Sequence, residues 1–167
     1  MLTADEIRKL LKLEPHPKEG GYFVQTYKSG HALPPEVLAP GYPSERSIGT
    51  AIYYLLAPET FSAMHRLPGD EGFHFYMGDT VEMLQLKPDG TGEVVLLGTD
   101  IASGMRPQII VPGEVWQGSR LRAGGKFALM GNTMSPGYED QDYETGSREE
   151  LIAQYPEFST MIAALTL

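Results

Sequence analysis

The chain has no cysteine, which excludes disulfides and thiolate metal sites. No apolar run approaches the roughly twenty residues that a membrane-spanning helix requires. The opening MLTADEIRKLLKL interleaves charged and apolar side chains, unlike the unbroken apolar stretch of a secretion signal. Basic residues are few: 13 lysines and arginines face 22 aspartates and glutamates, for a net charge of −9. Most of such a surface repels a phosphate backbone, so nucleic acid is not an expected partner. A local basic patch would still suffice for one small anion. The sequence also lacks a phosphate-cradling glycine loop, a nucleophile elbow and a zinc-protease helix. These absences predict a cytoplasmic, soluble protein with no membrane and no nucleic-acid partner.

What is abundant is turn chemistry. There are 19 glycines and 13 prolines in 167 residues, which favours a mainly β protein. That length suits one domain with a sizeable core, read as residues 1–167 with the barrel core at about 20–135. An amphipathic helix opens the chain, with Thr3 and Glu6 as a capping box and Ile7, Leu10 and Leu11 on one face. Pro15 and Pro17 end it. GGYFVQTYK then reads as a strand, with Tyr22, Val24 and Thr26 on one face and Phe23, Gln25 and Tyr27 on the other. Residues 29–47 hold four prolines and read as a long loop, either a lid or a surface excursion. From Ile48 to Met134, eight short β runs alternate with turns such as Pro88-Asp89-Gly90 and Gly124-Gly125, as in a sandwich or barrel. Past Ser147 a second capping box (Ser147, Glu150) opens two short helical pieces split at Pro156.

HRLPGDEGFHFYMGD, residues 65–79, gathers side chains that bind metals or move protons. His65 ends one β run, LPGD is a turn, and Glu71 opens the next run, so His65 and Glu71 should sit side by side at a barrel mouth. Alternation places Glu71, Phe73 and Phe75 on one face and His74 on the other. His74 joins the pocket only if a bulge, for which Gly72 is a candidate, resets the parity.

Here the chain resembles the cupin superfamily. Its first motif, G-x5-H-x-H-x3–4-E-x6-G, is matched by His65, Glu71 and Gly78, and IIVPGEVWQ is similar to the second, G-x5-P-x-G-x2-H-x3-N. More narrowly, PHPKEGGYFVQTYKS, TAIYYLL, SAMHR, DEGFHFYMGD, PQIIVPGEVWQ and PGYEDQDYETG resemble a group of small single-domain cupins of unassigned function, cupin family five. The resemblance implies a cupin-type jelly-roll β-barrel with short N- and C-terminal helices, a central pocket for a small-molecule ligand, and a homodimer. A homodimer also follows from the β-prone GYFVQTYK run, whose sheet edge would gain from pairing through Tyr22, Phe23 and Tyr27.

The departures from the motif bear on metal. Leu67 stands at the second histidine of the first motif, Glu59 at its opening glycine, and Gln117 at the histidine of the second. His65 and Glu71 alone remain of the usual three histidines and one glutamate. The expected cofactor is therefore none; a weakly held divalent ion would draw on His65, Glu71, His74 and Gln117. Without a metal, His65 beside Glu71 reads as a general base with a carboxylate that supports it, and His74 completes the candidate catalytic set. Tyr53, Gln108, Trp116, Gln117 and Asp142 are candidate ligand contacts, Asp142 because it falls in the family-like PGYEDQDYETG. The resulting expectation is a metal-independent isomerase or epimerase acting on a small polar, sugar- or nucleotide-like molecule. The alternatives are a non-catalytic ligand-binding or sensing cupin and a metal-dependent oxygenase or isomerase.

Overall fold

The turn signals between Thr50 and Met134 deliver strands close to the positions they predict. A computed structural model describes residues 2–167. Helix α1 (Ala4–Leu11) precedes β1 (Glu14–Pro15), β2 (Tyr22–Lys28), β3 (Ala32–Leu33), β4 (Arg46–Ser47), β5 (Thr50–Leu56) and β6 (Phe61–Arg66). There follow β7 (Glu71–Gly78), β8 (Val81–Leu86), β9 (Gly92–Leu97), β10 (Gln108–Val111), β11 (Trp116–Leu121), β12 (Ala128–Met134) and β13 (Glu144–Thr145). Helices α2 (Arg148–Gln154) and α3 (Ser159–Ala164) close the chain. No helix among the described residues is long and apolar enough to cross a membrane.

One sheet has the order β1-β2-β5-β12-β7-β10 and the other β13-β6-β11-β8-β9. Consecutive strands β5/β6 and β6/β7 lie in opposite sheets, so the chain passes back and forth across the core, as in a jelly roll. Period-two alternation decides what each strand contributes. On β5, Tyr54 and Leu56 point inward to meet Phe73, Phe75, Met83, Val111 and Met130, while Leu55 points outward. Outside the first sheet, Leu55 and Leu129 pack under Ile7 and Leu13 from the N-terminal helix and its exit. Outside the second, Met64, Leu84 and Leu86 meet Leu151, Tyr155 and Ile162. Each helical end thus covers one sheet face that would otherwise expose apolar surface.

Four local expectations change. The capping box of α1 is complete, Thr3 and Glu6 exchanging both bonds, but at α2 only Ser147 accepts, from the Glu150 amide. The 29–47 segment is pinned by the β3–β4 pair and one 3-10 turn rather than lying as an open loop. In β2 the pairing with β5 shifts between Gln25 and Tyr27. That bulge adds one residue and turns Tyr27 to the outer face, away from Phe23 and Gln25. Finally, β1 and β5 flank the start of β2, and Arg8 lies 3.9 Å over the Tyr22 ring. Tyr22 is therefore covered within its own chain and Phe23 packs on the core, so neither waits for a partner. Tyr27, by contrast, is 56% exposed.

Candidate functional site

A cavity of about 250 Å³ opens at one end of the barrel, between the two sheets. Its walls come from β2, β5, β6, β7 and β12, with the segment before β2 and the acidic turn before β13 at its rim. His65 and Glu71 both line it. They are not neighbours in one sheet, as the short turn between them suggested. LPGD carries the chain from one sheet to the other, and the two side chains meet across the interior.

Glu71 is buried and held by two amides: Asn132 Nδ2 donates to Oε1 at 2.7 Å and Gln117 Nε2 to Oε2 at 2.7 Å. Gln117 arrives there because it pairs directly with His65 across β11 and β6. His65, 1% exposed, bonds through Nδ1 to the carbonyl of Ala63 at 2.7 Å. A carbonyl only accepts, so Nδ1 carries the hydrogen and Nε2 of the neutral ring keeps its lone pair. The tautomer is therefore set by the backbone two residues away rather than by Glu71. The Tyr143 ring stacks on the imidazole, centroids 4.7 Å apart and planes 17° from parallel.

A second histidine–glutamate pair faces the same cavity, and sequence reasoning missed it. Glu19, buried, accepts from Ser62 Oγ at 2.5 Å. His16 Nε2 lies 3.9 Å from the Glu19 carboxylate, while His16 Nδ1 accepts from the Glu19 amide at 2.9 Å. Nε2 of this ring therefore bears the hydrogen, the opposite tautomer from His65. The loop reaches the cavity through Gly20 (φ 93°) and Gly21 (φ 70°), both left-handed. A side chain at Gly20 would strike the Phe61 carbonyl and one at Gly21 the Tyr54 hydroxyl. Both histidines fall in PHPKEGGYF and SAMHR, stretches already singled out, so the signal was present in the sequence without its spatial meaning.

Burial sets the electrostatics. It pushes the pKa of His65 down, against the pull of Glu71, and that of His16 down, against Glu19. It pushes Glu19 and Glu71 up, Glu19 adding to the rise at Glu71 by repulsion. Tyr143 and Tyr138 are also raised, mainly by burial. Neutral imidazoles beside carboxyls that give up protons reluctantly form a cavity able to pass a proton in either direction.

The other candidates lie elsewhere. His74 sits on the outer face of β7, bonded to Thr133 Oγ1 (2.9 Å) and Gln108 (3.2 Å). Gly72 pairs with Thr133 in unbroken register, and the bulge comes later, between Phe75 and Met77, too late to bring His74 inward. Gln108 is exposed on the edge strand β10. Tyr53 points outward and meets Tyr76 edge-on at 6.0 Å; Tyr54 is the inward tyrosine, its hydroxyl donating to the Gly20 carbonyl at 2.8 Å. Trp116 packs under the C-terminal helices with Arg66 over its ring at 4.7 Å. Asp142 does not line the cavity. It forms a buried ion pair with Arg46, 2.5 Å from Nη2 to Oδ1, and caps the Glu139 amide at 3.1 Å, fixing the turn that carries Tyr138 and Tyr143.

Residues 5–146 match the family described as Cupin superfamily (DUF985). The chain belongs to that cupin family. Solved cupins with the same overall shape include protein SO0799 from Shewanella oneidensis, 34% identical with TM-score 0.86, covering 100% of this chain and 99% of the other. A hypothetical protein from Leishmania major is 30% identical, TM-score 0.88, with 99% of each chain covered. An uncharacterized Saccharomyces cerevisiae protein, YML079W, is 27% identical over 75% of this chain and 67% of its own. A dTDP sugar isomerase from Desulfovibrio desulfuricans shares the fold at 17% identity and TM-score 0.52, over 75% of this chain and 83% of its own.

Many cupins hold a metal, and the residues of this one do not fit it. Leu67 and Gln117 replace two histidines, and both Glu71 oxygens already accept amide hydrogens. His74 faces the wrong side of the sheet. Among the described residues no three histidine, aspartate or glutamate side chains converge on a common point that could hold an ion.

Proposed function

We propose that this cupin is a metal-independent isomerase or epimerase that moves a proton on a small polar, sugar- or nucleotide-like molecule bound in the barrel. The observation that carries this reading is His65: its Nδ1 hydrogen is committed to the Ala63 carbonyl, which leaves Nε2 of this buried, cavity-lining ring as a base. Nε2 takes a proton from a carbon next to a carbonyl; the C–H pair shifts into the carbonyl, and the oxygen gains negative charge. The Tyr143 hydroxyl, buried and without a partner, is the donor suited to that oxygen. Glu71 supports the imidazolium through its charge. Where the carbon that loses the proton carries a hydroxyl, Nε2 delivers the proton to the former carbonyl carbon while Tyr143 gives its proton to the charged oxygen and takes one from that hydroxyl, which yields the isomer. The shared fold with a dTDP sugar isomerase agrees with this reading at the level of architecture only.

The test begins with the ligand. Native mass spectrometry of unsupplemented protein identifies what the cavity retains, and incubating that compound with enzyme in D2O reads proton exchange directly. Deuterium should enter one C–H position, and His65→Asn should abolish it. Binding without exchange in the wild-type protein would overturn the proposal and favour a cupin that binds without catalysis, a reading the unpartnered Asn132 Oδ1 and Tyr143 hydroxyl also suit.

A further inference from the structure

The charged groups lining the cavity are mostly acidic. Four carboxyl side chains, Glu19, Glu71, Glu139 and Asp140, line it against a single lysine, Lys28. Lys28 is already paired with Glu139 at 2.7 Å. Lys18, 5.6 Å above the Tyr143 ring, donates to the Asp140 carbonyl at 2.7 Å. The two arginines of the neighbouring walls are engaged as well, Arg46 by Asp142 and Arg66 by Glu144. Asn132, 4% exposed, spends its amide hydrogen on Glu71, and its Oδ1 is buried in the cavity wall with no donor to satisfy it. A buried carbonyl left without a donor is costly, so a bound molecule that supplies one gains accordingly.

We infer that the cavity takes a compact ligand rich in hydrogen-bond donors and carrying no negative charge, a free polyol or amino-polyol, and that it excludes phosphorylated and carboxylated forms. The inference rests on the reading of this cavity as a ligand site and narrows its substrate class. Size agrees: about 250 Å³ lies below the roughly 300–1,000 Å³ of sites for drug-sized ligands, which suits a single sugar ring and leaves a nucleotide diphosphate outside. An anion would face Glu71 and Glu19, and the one lysine among the described lining residues is already paired with Glu139, whereas hydroxyl or ammonium hydrogens meet a mostly acidic wall.

Four probes matched in ring size decide the matter: a hexose, a hexosamine, a hexose phosphate and a hexuronate. Each is titrated to millimolar concentration while NMR follows the Asn132 side-chain amide and the Tyr143 ring. The hexose or hexosamine should shift both signals, with the two anions at least about tenfold weaker. Glu71→Gln, which removes one carboxylate without changing its shape, should narrow that gap. Equal or tighter binding of the anions would overturn the inference, and so would silence from all four probes. Repeating the titration with His65→Asn separates this inference from the catalytic one. Hexose binding that persists there, with no proton exchange in the wild type, would leave the ligand class standing and remove the proton transfer.

Discussion

Tyr143 lies flat on His65, although 78 positions separate them in the chain. The register of β13 explains the contact. Glu144 pairs with Arg66 and Thr145 with His65, so the residue just before β13 is delivered over the imidazole. The Arg66–Glu144 ion pair (2.7 Å) on the outside and the Arg46–Asp142 pair on the inside fasten the same turn from both ends. The imidazole and the phenol ring are thereby held against each other by backbone pairing.

Three substitutions divide the labour of the proposed catalysis. With an identified substrate, His65→Asn should lower kcat by about 10²-fold or more while affinity stays near wild type, as when a general base is lost. Glu71→Gln should act in the same direction less severely. Tyr143→Phe keeps the stacked ring and removes the hydroxyl, and should cost about 10²-fold in kcat. Full activity in His65→Asn would remove the acid–base proposal.

The buried carboxyls make stability depend on pH with a definite sign. Burial raises Glu19 above its ordinary 4.5, so above that pH the unfolded chain has released a proton that the native state still holds. Stability from this group is lost as pH rises from 4.5 through the raised native value. The histidines oppose it: His65 and His16 are depressed from 6.5, and between their native values and 6.5 stability climbs with pH. In Glu19→Gln the first contribution disappears, so Tm of the variant relative to wild type should increase as pH rises above 4.5. Parallel Tm–pH curves would contradict the assignment.

Purified without added metal, the protein should carry well under one equivalent of Fe, Mn, Ni or Zn by elemental analysis. The expectation rests on Leu67 and Gln117 at ligand positions and on the two amides that occupy Glu71. Stoichiometric metal that vanishes in His65→Ala would restore the metal-dependent reading.

Asp142→Asn tests the turn. Arg46 has 0% side-chain exposure and Asp142 2%, so the change strands a buried guanidinium. Chemical denaturation should show a loss of about 3 kcal/mol or more. A loss within experimental error would mean that the pair does not anchor the turn.

A homodimer is the expected state in solution. Among the described residues β2 has no partner on its outer edge from Val24 onward, and the same sheet exposes Tyr27, Tyr76 and Ile110, each at least half accessible. Unpaired strand edges and exposed aromatics together favour association. Light scattering at micromolar concentration should give about twice 18.4 kDa; a folded, soluble monomer would refute this.

Local pattern was enough to read the helices at both ends, eight strands, the motif turn and the inward face of Glu71, because strand parity and turn chemistry are properties of neighbouring residues. Parity also placed His74 outside unless a bulge intervened, and no bulge comes early enough to do so. What the pattern could not express was which distant segments share a cavity. His16 and Glu19 reach His65 because the loop before β2 folds over the barrel on two left-handed glycines, and Tyr143 reaches it because β13 pairs with β6. The bulge in β2 moved Tyr27, whereas the one in β7 falls after His74 and does not affect it, and each depends on the strand opposite. Amino-acid identity sets what a residue can do with a proton; only the pairing of strands far apart in sequence decides which protons it can meet.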